Sequence, residues 1–240
     1  MQSQTLKTLV AVLTFNEGEK LQKLFQDFPK EKSYDILVVN DGSTDNTLKF
    51  LVEQNLTHAN HTENLGVGAG IRTATEYAKK NNYEVIVIMA GNGKMLPVEI
   101  DRLLVPIYEN NVDYVQGSRY LDGGNSLHLP TFRNFAIKLF TLMTNIVLGF
   151  KGTDITCGFR AYRLAIFENK DIDIHQDWLG QYEMEYYIHY KVIKSKYNVR
   201  EVPVSMIYPK EGKNYSKIKP FVGWWSMVRP WIFLTLRLKK

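Results

Sequence analysis

Apolar residues follow two alternating patterns along the chain, and together they predict an α/β fold. Continuous apolar runs at Thr8–Thr14, Ile36–Val39 and Val85–Met89 are typical of strands buried on both faces of a parallel sheet. Between the first two runs, apolar residues at helical spacing predict an amphipathic helix that ends before Pro29. Strands that alternate with helices favour a Rossmann-like, mostly parallel central sheet flanked by helices.

Further helices follow the same logic. The segment after Asp41–Thr47 predicts a helix capped by Asp45 or Thr44, another spans about Gly68–Asn81, and one begins after Pro97. A stripe at helical spacing fits either a face packed in the core or a face that meets lipid. The longest such stripe consists of Phe132, Phe135, Ala136, Leu139, Phe140, Met143, Ile146 and Val147.

Composition narrows the class of protein. With 240 residues, 45% of them hydrophobic, the chain can bury one sizeable core, which excludes a disordered or disulfide-stapled small protein. Cys157 is the only cysteine, so no intrachain disulfide can form and a thiol zinc cluster is excluded. The first twelve residues do not resemble a signal peptide, and no apolar run reaches the ~18 residues of a membrane span. We expect a cytoplasmic protein.

Positive charge is concentrated at the end of the chain. The net charge is +5, and the segment 209–240 contains eight Lys or Arg and a single Glu. Aromatic residues interleaved with cations are typical of a segment that rests on an anionic membrane surface. We therefore expect a tail, 209–240, that is peripheral on the cytoplasmic face of a membrane; a solvated basic helix end stays open, and no nucleic-acid module is recognisable. The aromatic residues of this tail are Phe221, Trp224, Trp225, Trp231 and Phe233.

Polar segments follow three of the predicted strands. They are Thr14–Glu17, Asn40–Asp45 and Ala90–Lys94. Each alone is ordinary turn chemistry, but ligands of parallel α/β sheets bind at the carboxyl ends of the strands. Their joint placement predicts a binding site at that edge of the sheet.

Two familiar motifs do not fit. The segment Asp41–Asp45 begins like a calcium loop, but Asn46 replaces the glycine and Val52 replaces the final glutamate. The glycines of Gly66–Gly70 lack the dinucleotide-binding spacing and come too late in the αβ series. These glycines fit either a tight helix start or a close backbone approach to a nucleotide.

Five motifs stand in order along the chain: Ala11–Glu17, Val38–Asp45, Asn64–Ala69, Gly117–Tyr120 and Asp154–Arg160. Taken in this order, they resemble those of the family 2 glycosyltransferases, and within them the dolichyl- or polyprenyl-phosphate sugar synthases. The resemblance implies a GT-A fold over 1–208, a nucleotide-sugar donor, a polyprenyl-phosphate or other lipid-linked or glycan acceptor, and inversion at the anomeric carbon.

The resemblance also implies roles for individual residues. Asp154 is the carboxylate expected nearest the reacting centre, and Glu183 belongs to a later Gln-x-Glu element. Carboxylates and amides suit a base edge and ribose hydroxyls, and guanidinium groups suit phosphate oxygens. The expected nucleotide-binding residues are Thr14, Asn16, Glu17, Asp41, Asn64 and Gly68, and the expected acceptor-phosphate residues are Arg119, Arg133 and Arg160.

The chain departs from the family where a divalent cation is usually bound. Family members carry Asp-x-Asp after the fourth strand, but this chain has Ala90-Gly91-Asn92. Asn92 alone would be a weak ligand for Mg2+ or Mn2+, because hard cations usually need a carboxylate. We hypothesise that Asn92 and Lys94 contact the donor diphosphate and that the Lys94 ammonium replaces part of the metal charge. A solvated turn lysine is the alternative.

The acceptor decides which catalytic residues are needed. A polyprenyl phosphate is already ionised at neutral pH, so positioning by arginines suffices for an in-line displacement at C1 of the sugar. A sugar hydroxyl would need a general base, which makes Asp154 or Glu183 essential. Because the Asp pair is missing, a degenerate protein that binds a nucleotide sugar without turnover also stays open.

Overall fold

The computed structural model describes residues 6–209 and 221–239, and they form one central sheet with helices on both faces. The seven strands are β1 (Thr8–Thr14), β2 (Tyr34–Asn40), β3 (His58–Asn60), β4 (Val85–Ala90), β5 (Tyr114–Ser118), β6 (Arg160–Arg163) and β7 (Val199–Pro203). The α-helices within these ranges are α1 (Gly18–Gln26), α2 (Thr47–Glu53), α3 (Val67–Lys80), α4 (Ile100–Asn110), α5 (Thr131–Leu148), α6 (Glu183–Lys194) and α7 (Val222–Thr235).

The sheet has the strand order β3-β2-β1-β4-β6-β5-β7. All neighbouring strands are parallel except β6, which runs antiparallel between β4 and β5. The register pairs Thr14 of β1 with Asn40 of β2, and Leu13 with Ala90 of β4. The carboxyl ends of β1, β2 and β4 therefore lie side by side at one edge of the sheet, and the predicted mostly parallel α/β architecture is confirmed.

Alternate residues of β1 supply the cores on the two faces of the sheet. Val10 and Val12 pack with α1, α2 and α4, whereas Leu9 and Ala11 pack with α3 and α6. This alternation follows from the two-residue period of a strand. The predicted first helix ends at Gln26, before Pro29, and Pro97 begins a short 3₁₀ turn that leads into α4.

Helices α5 and α7 lie beside α6 and expose much of their apolar surface. Helix α5 buries only Ile137, Thr141, Thr144 and Leu148. Its long stripe is mostly solvent-exposed, with Phe132 75% exposed. No helix in the described ranges is both long and apolar enough to cross a bilayer. The basic segment 210–220 of the predicted tail lies outside the described residues.

Candidate active site

Backbone hydrogen bonds join the three polar strand ends. The Asp41 N–H donates to the Thr14 carbonyl at 2.9 Å, and the Gly91 N–H donates to the Leu13 carbonyl at 2.8 Å. Gly91 permits this contact, because a Cβ there would lie 3.0 Å from the Thr14 Cβ. The segments after β1, β2 and β4 therefore lie side by side, which is the placement that the sequence predicts.

Thr14 contributes a buried hydroxyl to this edge. Its side chain is 3% exposed, and its Oγ1 has no hydrogen-bond partner among the described residues. Buried polar atoms normally have partners, so a lone hydroxyl at a candidate site requires an explanation such as a bound group. Glu17 is also buried, and its Oε2 lies 2.6 Å from the ammonium of Lys20.

Asn16 fastens the loop after β2 to the end of β1. Its Oδ1 accepts from the backbone N–H groups of Thr44 and Asp45 at 2.7 and 3.3 Å, and its own N–H donates to Ser43 Oγ. Asn16 has a φ of 51°, in the left-handed region that asparagine tolerates better than most residues. The N-cap of α2 is Asn46, which makes no side-chain cap hydrogen bond, so the predicted cap at Asp45 or Thr44 is wrong. Asp45 precedes the cap and accepts from the N–H of Thr47, the first residue of α2, at 2.9 Å.

The Asp41 carboxylate forms hydrogen bonds with three groups of the loop after β3. Its Oδ1 accepts from the Leu65 N–H at 2.9 Å and lies 2.7 Å from His61 Nδ1, while its Oδ2 accepts from the Gly66 N–H at 2.9 Å. Asn64 is exposed beside it and donates from Nδ2 to the Asp41 carbonyl at 3.4 Å. Sequence reasoning missed His61, which follows β3 and whose position only strand pairing could have revealed.

The glycine-rich turn packs against protein backbone. A Cβ on Gly68 would lie 2.2 Å from the Leu179 carbonyl oxygen, and the Gly68 N–H donates to the Gly180 carbonyl at 3.0 Å. Gly66 has a φ of 95° and presses against Gln181 in the same way. Close packing with the loop before α6 therefore accounts for these glycines, and the predicted contact of Gly68 with a nucleotide has no support from its surroundings.

The turn after β4 does not fit a divalent metal. Asn92 Oδ1 accepts from the Lys94 backbone N–H at 3.2 Å, so the one candidate ligand closes the turn instead. No three His, Cys, Asp or Glu side chains in the described part of the chain come together as a metal cluster. A hard cation needs a set of oxygen ligands, and we therefore drop Asn92 as a metal ligand.

Asp154 is buried in an ion pair with Arg119. Arg119 Nε and Nη2 donate to the two carboxylate oxygens at 2.6 and 2.7 Å, and the two side chains are 2% and 0% exposed. Burial lowers the pKa of a guanidinium, but the hydrogen bonds and charge of Asp154 outweigh it and raise the pKa of Arg119. Thr156 adds two further donors to Asp154. Asp154 is thus held as a partner of Arg119.

Glu183 lies at the start of α6 and is 1% exposed. Its Oε1 lies 2.5 Å from Arg229 Nη2 of α7, and its Oε2 accepts from the Gln181 N–H at 2.9 Å. Burial raises the pKa of Glu183, although its backbone hydrogen bonds and Arg229 oppose the shift. Like Asp154, this predicted base is already engaged with an arginine.

Arg133 stands at the start of α5, over a tyrosine that sequence reasoning missed. Its Cζ lies 5.6 Å from the ring centroid of Tyr208, and Lys94 Nζ lies 5.3 Å from the same centroid. The Tyr208 hydroxyl accepts from Arg119 Nη1 at 2.6 Å. One ring therefore brings together the predicted diphosphate lysine and two of the predicted acceptor arginines. No local pattern marks Tyr208, because its partners are distant in sequence.

Arg160 corrects the third acceptor assignment. It is 1% exposed, and its three nitrogens donate to the backbone carbonyls of Cys157, Glu185 and Ile155. A guanidinium enclosed in this way cannot reach an acceptor phosphate, so we assign Arg160 to the architecture of the site. Close by, Glu185 Oε1 would lie 2.9 Å from a Cβ on Gly158, and burial raises the pKa of this carboxyl against the opposing charge of Arg160.

Comparisons with known proteins show the family to which the chain is similar. The family model "Glycosyl transferase family 2" matches residues 9–169. The chain is 31% identical to polyprenol monophosphomannose synthase of Mycolicibacterium smegmatis, over 84% of this chain and 77% of that protein. It is 28% identical to undecaprenyl-phosphate mannosyltransferase of Micrococcus luteus, over 87% of each chain.

A solved structure extends the match to the fold. Glucosyl-3-phosphoglycerate synthase from Mycobacterium tuberculosis, crystallised with Mn2+, uridine diphosphate and glucosyl-3-phosphoglycerate, superposes with a TM-score of 0.67 at 13% identity. The match covers 96% of this chain and 78% of that one. The predicted GT-A fold is therefore confirmed.

Proposed function

Because the chain belongs to glycosyl transferase family 2 and is therefore a glycosyltransferase, we propose that it transfers a sugar from a nucleotide-sugar donor to a polyprenyl phosphate at a membrane surface. The observation that supports this acceptor most directly is the state of the two predicted bases. Asp154 is paired with Arg119 and Glu183 with Arg229, both inside the protein. A phosphate acceptor needs no base, whereas a hydroxyl acceptor would need one of these carboxylates.

The donor nucleotide lies at the carboxyl ends of β1 and β2 in this proposal. Asn16 and Asp41 already order the surrounding loops, so the site is formed before the ligand arrives. Thr14 offers its unpartnered hydroxyl, and Glu17 and Asn64 border the same place. Carboxylates and amides there complement the N–H and O–H donors of a base and ribose. The diphosphate then extends along the end of β4 towards Lys94.

Reaction follows a single in-line displacement. An oxygen of the acceptor phosphate forms a bond to C1 of the sugar, the bond from C1 to the diphosphate oxygen breaks, and the electron pair leaves with the nucleoside diphosphate. The configuration at C1 inverts, and no proton needs to be removed from an ionised phosphate. Arg133 borders the acceptor phosphate and holds it in line with the bond that breaks. Arg119 is buried and donates to Asp154, Thr156 and the Tyr208 hydroxyl, so it fixes the ring on which Arg133 lies.

The membrane surface meets α5 and α7 in this proposal. Contiguous exposed apolar patches mark interaction sites. The exposed Lys138 and Arg237 lie on or next to these helices and suit anionic headgroups. The tail 209–240 is then a peripheral membrane element on the cytoplasmic face, next to the transferase domain 1–208. The apolar residues at least half exposed on these two helices are Phe132, Phe135, Leu142, Met143, Ile146, Val222 and Trp224.

A transfer assay tests the proposal. The purified chain is incubated with UDP-, GDP- and dTDP-sugars and with polyprenyl phosphate in vesicles, and both nucleoside diphosphate release and lipid-linked sugar are measured. We expect one donor to give a lipid-linked product that contains the sugar with inverted configuration. Asp154→Asn and Glu183→Gln, compared at matched folded concentration, should lose only about tenfold in rate, because neither group takes a proton.

Two results would contradict the proposal. Transfer to a sugar hydroxyl but not to polyprenyl phosphate would identify a glycan acceptor. Nucleotide-sugar binding without transfer to either acceptor would identify the chain as a binding protein that has lost turnover.

A further inference from the structure

The turn after β4 replaces metal ligands with a lysine. The family carries two carboxylates here, and the solved neighbours include complexes with Mn2+ or Mg2+ and uridine diphosphate. In this chain Asn92 is folded back onto the Lys94 N–H, and Lys94 leaves the turn on the side of Tyr208. A positive side chain therefore follows two residues after the position of the second family carboxylate.

The segment that follows β7 positions Lys94. Its carbonyl accepts from the Ile207 N–H at 2.9 Å, and the next residue, Met95, forms a β-bridge with Met206. Tyr208 directly follows Ile207 and is 2% exposed. Two hydrogen bonds fix it: its N–H donates to the Leu127 carbonyl, and its hydroxyl accepts from Arg119. The ring is therefore a rigid support for the ammonium, which lies within cation–π distance of it.

The same ring supports a second cation, which comes from the start of α5. Arg133 at the start of α5 lies 5.6 Å from the Tyr208 centroid, and no described carboxylate forms an ion pair with it. Farther along α5, Lys138 Nζ lies 5.3 Å from the Tyr120 ring, on which Arg119 also lies. Cations thus continue from the end of β4 onto the helix that exposes its apolar face.

We infer that Lys94 and Arg133, both supported by Tyr208, provide the positive charge that a divalent metal supplies elsewhere in the family, and that nucleoside diphosphate binding and sugar transfer by this chain are metal-independent. The inference rests on the proposed function, because it names the charge that stabilises the leaving diphosphate of that reaction. Lys94 faces the donor diphosphate, and Arg133 faces the acceptor phosphate. Tyr208 is a positioning residue that sets the separation of the two cations.

The consequence for the displacement is electrostatic. As the bond from C1 to the diphosphate oxygen breaks, negative charge grows on that oxygen, and a fixed ammonium beside it stabilises the transition state. Two anions, the donor diphosphate and the acceptor phosphate, must also approach each other closely. Two cations that lie 5.3 and 5.6 Å from the same ring centroid reduce the repulsion between these anions without the need for a bound metal.

Calorimetric titration of the full chain with UDP, GDP and dTDP tests the inference. Each nucleotide is titrated once in excess EDTA and once with Mg2+ or Mn2+ at millimolar concentration. We expect the tightest of the three to bind with the same affinity, within about threefold, in both conditions. Lys94→Met should weaken it roughly tenfold to a hundredfold in both, as loss of a charged hydrogen-bond partner does, and Lys94→Arg should retain most of the affinity.

Lys7→Ala is the matched control. Lys7 also places its ammonium over a tyrosine ring, 4.5 Å from the centroid of Tyr83, but it precedes β1 at the opposite edge of the sheet. We expect this variant to bind nucleotide like the unmodified chain. Tyr208 is tested by two changes: Tyr208→Leu should lower affinity, whereas Tyr208→Phe, which keeps the ring, should restore it.

The outcomes separate this inference from the proposed function. Binding that requires Mg2+ or Mn2+ overturns the inference and leaves a glycosyltransferase that uses a metal. Binding that is unchanged in Lys94→Met overturns it as well, because Lys94 then does not contact the diphosphate. Failure of all three nucleotides to bind in either condition overturns the proposed function, and the inference with it. A further variant, Ala90→Asp/Asn92→Asp/Lys94→Ala, restores the family carboxylates and should convert binding from metal-independent to metal-dependent.

Discussion

Asp41 illustrates how one side chain organises the site at the scale of a residue. Its carboxylate accepts from Leu65, Gly66 and His61, which all come from the loop between β3 and α3. Asp41→Asn places an amide NH2 next to backbone N–H groups, which need an acceptor. We expect this change to lower the free energy of unfolding by about 1–3 kcal/mol and to weaken nucleotide binding, as measured by denaturant unfolding and calorimetry.

The control for this change is Asp27→Asn, at an exposed position just after α1. It should alter neither stability nor binding. If Asp41→Asn binds nucleotide as tightly as the unmodified chain, the donor does not rest on the loop that Asp41 orders.

Glu185 gives a prediction on pH. Burial raises its pKa, so between the ordinary glutamate value of 4.5 and the raised value the folded chain holds a proton that the unfolded chain has lost. Ionisation of Glu185 therefore subtracts stability as pH rises through this window. The Tm of Glu185→Gln minus the Tm of the unmodified chain should therefore increase from pH 4 to pH 7, as measured by calorimetry.

The opposite trend would mean that the charge of Arg160 dominates and lowers the pKa of Glu185. Glu31→Gln, on an exposed loop, is the control and should give a flat difference across the same pH range.

Sequence predicts which residues border the site better than it predicts what each one does. Thr14, Asn16 and Asp41 follow buried strands, and strand ends meet at one edge for simple geometric reasons. The pairing of Asp154 with Arg119 joins residues 35 positions apart, and no local pattern encodes it. From the sequence alone, Arg160 could equally be a phosphate-binding arginine or a buried structural arginine. Only the tertiary fold decides such cases.

At the scale of elements, one buried ion pair joins α6 and α7 beside the aromatic packing of Trp231. Arg229→Met leaves the Glu183 carboxylate buried without its partner, which we expect to lower the free energy of unfolding by about 3–5 kcal/mol. The double change Glu183→Gln/Arg229→Met should recover part of this loss, because no charge is then buried. Denaturant unfolding measures both.

Lys49→Met is the matched control. It removes an ion pair with Glu53 in which both side chains are exposed, and it should change stability by less than about 1 kcal/mol. If Arg229→Met is equally mild, α7 is held by its buried Trp231 and Leu234 alone.

Helix α5 supplies the second prediction at this scale. Phe132, Phe135 and Ile146 are 75%, 65% and 73% exposed, so changing all three to serine removes apolar surface without opening the core. We expect the Tm to stay the same and binding to phosphatidylglycerol vesicles to fall by roughly tenfold or more, as measured by vesicle sedimentation.

The control replaces Val52 and Val98, which are 61% and 63% exposed on other elements, with serine. Vesicle binding should not change. Equal binding by the α5 triple variant would exclude this face as the membrane contact. The sequence stripe alone left open whether α5 faces the core or lipid, because periodicity defines a face but not the neighbour that covers it.

At the scale of the whole molecule, the buried runs predict β1, β2 and β4, and with them the position of the site. They do not predict that β6 enters the sheet antiparallel between β4 and β5, since that depends on long-range pairing. The fold also places three regions in order. The proposed nucleotide side lies at the ends of β1 and β2, the cations at the end of β4 and the start of α5, and the exposed apolar face along α5 and α7.

One structural measurement tests the account most directly: a crystal structure of the chain with the nucleotide sugar that it uses. We predict the base and ribose beside Asp41 and Thr14, and the diphosphate beside Lys94. A cavity of about 420 Å³ lies at the other end of β2, lined in part by Phe28, Tyr34 and Asn55. A nucleotide bound there, or anywhere away from the carboxyl ends of β1, β2 and β4, would contradict the account.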